Sequence, residues 1–227
     1  ELYRRELPWG IVTNGFALTP ERLMSLRKAG LHNITVSLDG TCDVHNWMRC
    51  NPRSFERAYA AIKMLAAVPG LNFSCVNRRS LAELDAVKEL LIAAGVKRWR
   101  LFTIFPAGRA AAYPEFNLTA GEIDSLMQFI VRTRKEGRIT PSFCCEGFLE
   151  GYEGLVRDGF YRCTAGVTTA SVLLDGSIAA CPSIRADYSQ GNIYRDDIWE
   201  VWQQRYQKYR DRSWMRTGVC ASCSNWR

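Results

Sequence analysis

The sequence has no apolar run near the ~20 residues that a membrane-crossing helix needs. It also lacks a Gly-rich phosphate loop, a nucleic-acid-binding motif, internal repeats and low-complexity tracts. The first absence argues against a helical membrane span. The second places a phosphate-binding β/α enzyme last among the readings, and the third leaves a nucleic-acid partner without support. No charged n-region or apolar h-region precedes the first strand-like segment, so no signal peptide is visible and a cytoplasmic location is expected. Glu1 runs almost directly into that segment, which leads us to expect natural sequence upstream. Without a secretory context, nine cysteines, an odd number, do not read as a disulfide framework.

What is present is ordinary globular composition. The chain has 227 residues, 47% hydrophobic and 23% charged, enough for one large domain, alone or with a small module. The net charge of +7 is scattered, with one denser stretch from Arg205 to Arg216. That stretch reads as a solvated face whose charges complement a helix C-terminus.

The first half alternates strand and helix. Strands are expected at Gly10–Thr13, Asn33–Leu38, Leu71–Val76 and Arg98–Phe105. Thr19-Pro20 supplies an N-cap and a first-turn proline, and Gly30 a stop. Ser54–Ala67 carries an apolar stripe of Phe55, Ala58, Tyr59, Ile62 and Leu65, and Pro69-Gly70 ends it. Ser80 with Glu83, and Thr119 with Glu122, have the spacing of capping boxes. Leu84, Val87, Leu91 and Ala94 form the core face of the helix after Ser80. This order predicts parallel strands with right-handed crossovers, as a doubly wound sheet or as part of a β/α barrel. In either, function sits at the C-terminal ends of the strands.

The pattern changes near Phe143. Phe160 to Cys181 reads as a hairpin turning at Asp175-Gly176, and Asp196 caps a last helix with Ile198, Val201 and Trp202 on its apolar side. The domains are therefore placed at 1–145 and 146–227.

Four cysteines have ligand-like spacing. Cys163 is followed by twelve residues, Gly176, four residues and Cys181; later comes Cys220-Ala-Ser-Cys223. Alone, the second pair fits zinc or a redox pair, and the first fits two buried thiols beside a hairpin. Together, with a turn glycine at fixed offset, they favour a metal module.

These cysteines, with Gly191-Asn192-Ile193 and the Ile198-Trp199-Glu200-Val201-Trp202 helix, resemble the SPASM extension of radical S-adenosylmethionine (SAM) enzymes. The β/α half supports the same resemblance. Thr13-Asn14-Gly15 ends one strand, Ser37-Leu38-Asp39-Gly40 ends the next, and His45 and Arg49 follow, a combination similar to the SAM-binding segment of sulfatase-maturase-like enzymes. The resemblance implies a radical SAM oxidoreductase modifying a peptide or protein through a 5′-deoxyadenosyl radical, with SAM, [4Fe–4S] clusters and an external electron donor. It implies the last four βα units of a partial barrel, followed by a small cysteine-rich hairpin and helix module. Cys163 and Cys181 would ligate one auxiliary cluster, and Cys220 and Cys223 another. Ser37 and Arg49 would hold the methionine carboxylate, with Asp39 near the ribose, Asn14 beside it, and Thr103 and Ile104 flanking the adenine. His45 would orient the loop, since a lone imidazole is a weak metal ligand.

The family's CxxxCxxC loop and its Gly-Gly-Glu segment are both missing from the 227 residues. The chain is therefore expected to be cut short at both ends and inactive by itself. Pro182 follows Cys181 where sulfatase maturases carry Asp, which argues against that activity. Cys42, Cys50, Cys75, Cys144 and Cys145 fall outside the pattern and read as packing or loop thiols. The alternative from another class is a non-catalytic, zinc-binding interaction module.

Overall fold

Five segments rich in branched and aromatic residues form one parallel sheet: β1 (Trp9–Thr13), β2 (Leu31–Ser37), β3 (Gly70–Val76), β4 (Arg98–Thr103) and β5 (Thr140–Phe143). The computed structural model describes residues 1–65, 70–76, 78–106, 108–144, 147–181 and 189–224. Pro69, Cys145 and Pro182 lie outside them, as does the side chain of Cys75. Helices α1 (Pro20–Lys28), α2 (Cys42–Arg49), α3 (Ser54–Leu65), α4 (Arg78–Leu81), α5 (Leu84–Ala93) and α6 (Ala120–Glu136) connect the strands.

Strand order is β1-β2-β3-β4-β5, with every neighbouring pair parallel. Among the described strands the order never reverses, whereas a doubly wound sheet has a point where it does. The fifth strand is one more than the sequence reading found. Its four residues include Pro141 and give little alternation to detect.

Paired residues of adjacent parallel strands share a face. Ile34, Val36, Trp99, Leu101 and Phe143 all pack into one core with α3, α5 and α6. The expected faces of α5 and α6 are there too, through Leu84, Val87, Leu91, Leu126, Met127 and Ile130. The opposite face carries Val12, 69% exposed, with Ser37, Arg100, Phe102 and Ser142 half-buried.

Local capping follows the sequence in two places. Thr19 accepts from Arg22 N–H, and Thr119 and Glu122 close a full capping box. Arg78 adds a second charge contact to Glu122 at 2.6 Å; the Thr119 backbone N–H first, then Arg78, hold this carboxyl down to about 2. Two expectations are corrected. The helix expected to open at Ser80 is split, with Ser80 inside α4 and a second start at Leu84. Glu83 reaches instead to Thr41, accepting from its N–H and its hydroxyl at 2.9 Å each.

The chain divides into two compact units, Glu1–Tyr161 and Arg162–Arg227. Residues 147–161, assigned from the sequence to the second module, pack with the first unit. Val156 joins its core, and Phe143 N–H donates to Val156 O at 2.9 Å.

The second unit holds a three-stranded antiparallel sheet of β6 (Ser171–Val172), β7 (Ser177–Ala179) and β8 (Gly191–Asn192), then α7 (Ile198–Gln204) and α8 (Gln207–Arg210). The turn falls at Asp175-Gly176 as expected: Gly176 has φ 81°, and Asp175 Oδ1 accepts from Ser177 N–H. Asp197, not Asp196, caps α7, accepting from Trp199 and Glu200 N–H. Asp196 is occupied by Asn192 N–H and Arg205. Among the described residues no helix is long and apolar enough to cross a membrane.

Candidate functional site

The ends of β1 and β2 lie side by side, because Thr13 pairs with Val36. Asn14 follows β1 and is exposed; its Oδ1 accepts from Phe16 N–H at 3.1 Å in a turn that Gly15 completes at φ 73°. A side chain at Gly15 would press on Val36 and Ala61 at 3.0 Å, so only glycine lets this loop lie against α3. Ser37 ends β2, half-buried on the sheet's open face, and its hydroxyl has no hydrogen-bond partner among the described residues. Thr103 and Ile104 are half-buried at the end of β4, with β3 lying between β4 and β2.

The loop after β2 turns into α2, a helix the sequence reading left unassigned. Gly40 is needed at its start, since a Cβ there would come within 2.7 Å of Val44. The helix places His45 and Arg49 one turn apart, both facing Asp39. Asp39 and His45 are buried. Arg49 Nε donates to Asp39 Oδ2 at 2.6 Å, Asp39 N–H donates to His45 Nδ1 at 3.0 Å, and His45 Nε2 lies 3.3 Å from Ser54 Oγ. His45 thus orients the loop, in agreement with the sequence reading.

Ser54, His45 and Asp39 have the outline of a hydrolytic triad, but the protons run the other way. Nδ1 is an acceptor, so in neutral His45 the proton sits on Nε2 and is directed at Ser54. A catalytic triad needs Nε2 to accept from serine, and Ser54 is itself buried. The 3.5 Å approach of Nδ1 to Asp39 Oδ2 is therefore not an ion pair in the neutral state.

Burial lowers the His45 pKa below its ordinary 6.5; the Asp39 charge opposes this and the Arg49 charge adds to it. The folded state then takes up the proton less readily than the unfolded chain. Stability from this group is complete above about pH 6.5 and is lost as pH falls below it, at no more than ~1.4 kcal/mol per pH unit. We expect His45→Gln to flatten the acid side of a plot of Tm against pH. Parallel curves for the two proteins would show that His45 is not buried neutral.

In the second unit, Cys163 and Cys181 pack, partly buried, against a small core of Ala165, Ile178, Ala180, Val201 and Tyr206. Tyr206 hydroxyl donates to Ala179 O at 3.0 Å and ties α8 to the hairpin. The dense arginines act here as clamps. Arg205 reaches Gln190 O, Arg210 reaches Gly166 O and Trp202 O, and Arg212 reaches Cys163 O at 2.9 Å. Cys220 and Cys223 are half-buried on a tight turn, Cys223 N–H donating to Cys220 O. Among the described residues no three His, Cys, Asp or Glu side chains gather into one ligand set. The donors have the soft chemistry an iron–sulfur cluster needs, but each pair supplies two thiolates where a [4Fe–4S] cluster takes four ligands. Cys42 opens α2 and Cys50 caps its C-terminal end, and both are exposed.

What the sequence reading missed is the role of Ser54 and the bond from Thr41 to Glu83. Both join residues whose proximity only folding reveals.

Two family models match the chain: the radical SAM superfamily over residues 1–78 and the SPASM iron–sulfur cluster-binding domain over residues 163–224. The AdoMet-dependent heme synthase of Methanosarcina barkeri is 27% identical over 233 residues, covering 94% of this chain and 65% of that protein. Mycofactocin maturase MftC of Mycobacterium tuberculosis is 28% identical over 221 residues, covering 94% and 56%. PqqA peptide cyclase of Rhizobium meliloti is 25% identical over 223 residues, covering 94% and 58%. The chain thus spans less than two thirds of the length of these relatives. Streptococcus suis SuiB bound to S-adenosylmethionine superposes with a TM-score of 0.72 at 16% identity, over 98% of this chain and 54% of SuiB. For anSMEcpe with bound AdoMet and the Cp18Cys peptide the TM-score is 0.69 at 16% identity, over 96% and 63%. At that identity the likeness is one of fold. The two matched segments imply [4Fe–4S] clusters and SAM as cofactors.

Proposed function

We propose that the chain, whose residues 1–78 match the radical SAM superfamily and whose residues 163–224 match the SPASM domain, forms the SAM-cradling β/α half and the auxiliary-cluster module of an enzyme that modifies a peptide or protein. The observation that carries this reading is Arg49. Its side chain is 32% exposed at the C-terminal end of the sheet, and beyond Nε its donors have no hydrogen-bond partner among the described residues. A free, planar fork of this kind fits a carboxylate.

In this reading the five parallel strands belong to an open β/α barrel, curved around the face that carries Ser37, and the unreversed strand order supports it. Arg49 and Ser37 bind the methionine carboxylate, the Asn14 amide lies alongside, and Thr103 and Ile104 flank the adenine. Cys163 and Cys181 give two thiolates to one auxiliary cluster, and Cys220 and Cys223 two to another. The cofactors, when bound, would supply radical hydrogen-atom abstraction chemistry, with electrons from an external donor. The 227 residues contain no CxxxCxxC, so the cluster that binds SAM is assigned to sequence outside them. The likeness to a peptide cyclase, PqqA peptide cyclase, supports the substrate class.

The test is anaerobic reconstitution of the protein with its CxxxCxxC loop included. It should yield 5′-deoxyadenosine from SAM under reductant, while residues 1–227 alone should yield none. Turnover by the 227 residues, or none by the longer protein, would contradict the proposal.

A further inference from the structure

The Asp39 carboxylate is buried and already turned to Arg49. The side chain is 1% exposed, and Oδ2 is bound to Arg49 Nε at 2.6 Å. Its backbone N–H is fixed in turn by His45 Nδ1 at 3.0 Å, and His45 is held by Ser54. These contacts form a chain that starts in the core and ends at the one exposed member, Arg49.

Resting on the SAM reading above, we infer that Asp39 is a positioning residue, which grips the Nε side of Arg49 and aims the Nη1/Nη2 edge at the ligand carboxylate, and that it does not contact the ribose. A buried carboxylate on Nε removes the guanidinium's freedom to rotate about its last bond, so less entropy is lost when the fork meets its ligand. The pairing also offsets the cost of burying the Asp39 side chain, which would be high for a carboxylate left alone in the interior. His45 adds a contact to the Asp39 backbone, so the anchor does not depend on Arg49.

The test uses equilibrium binding of two probes, SAM and 5′-methylthioadenosine; the second has the adenine and ribose but no carboxylate. Asp39→Asn should weaken SAM by about tenfold, the scale of one charge-assisted bond, and leave 5′-methylthioadenosine unchanged. Arg49→Gln should do the same, and the double variant should be no weaker than Arg49→Gln. A second readout needs no ligand: the Arg49 Nε–H should exchange slowly with solvent in the parent protein and quickly in Asp39→Asn. Equal SAM affinity of Asp39→Asn and parent would overturn the inference and leave the SAM reading standing. Weakening of both probes in a folded Asp39→Asn would restore the ribose contact and also overturn it. Failure of the parent protein to bind SAM at all would overturn the SAM reading, and this inference with it.

Discussion

Serine at both Cys163 and Cys181 is expected to remove one cluster's complement, about four irons per chain, from protein reconstituted anaerobically with iron and sulfide. The effect is all-or-none because the hydroxyl of serine is neither soft nor ionised at neutral pH. The fold of the second unit should survive. The two thiols are partly buried beside a core whose contacts come from Ile178, Val201 and Tyr206, and serine is close to cysteine in volume. The apo forms of parent and variant should therefore melt within about 1 kcal/mol of each other. Iron and sulfide analysis with visible absorption reads the loss. Unchanged iron in the variant would remove this pair from the ligand set. Stoichiometric zinc retained in air by the parent, and lost with the same substitutions, would favour the binding-module alternative.

Glu153→Ala is expected to destabilise the first unit by ~3–5 kcal/mol, the cost of breaking a buried pair by removing one partner. Glu153 and Arg157 have side chains 1% and 9% exposed and approach to 3.5 Å. The carboxylate also accepts from Leu149 N–H at 2.9 Å and Tyr161 N–H at 3.1 Å. Its loss leaves two backbone donors without their acceptor and the guanidinium, still bonded to Gly147 O at 3.2 Å, without its counter-charge. That guanidinium lies over the Phe143 and Tyr161 rings, so the pair fastens residues 147–161 onto the end of β5. Arg157 Nε has no hydrogen-bond partner among the described residues, which makes the pair expensive even when intact. A Glu153→Ala, Arg157→Met double variant should therefore recover part of the loss. Denaturant unfolding measures both, and a single-variant loss below about 1 kcal/mol would show that water reaches this site.

How far the sequence speaks depends on the range of the interaction. Thr19-Pro20, Thr119 with Glu122, and Asp175-Gly176 were legible because cap and turn are decided within a few residues. Asp196 and Asp197 were not distinguishable locally; Arg205, on the far end of α7, occupies the first and leaves the second to cap. Glu83 has the spacing of a capping residue, yet it bonds Thr41, 42 residues away. At the candidate site the residue types Asn14, Ser37, Asp39 and Arg49 were readable from their places after strands. The direction of the bonds among Asp39, His45 and Arg49 was not, since proton positions depend on which groups become buried together. The cysteine spacing was equally legible, but nothing in spacing reveals that Arg212 holds the Cys163 carbonyl.

The most direct measurement is photochemical crosslinking of radiolabelled SAM to this chain, with the adducts mapped by peptide mass spectrometry. Labels confined to the peptides around Asn14, Ser37 to Arg49, and Thr103 to Ile104 are the expected result. Labels spread over the surface, or concentrated away from the C-terminal strand ends, would contradict the account.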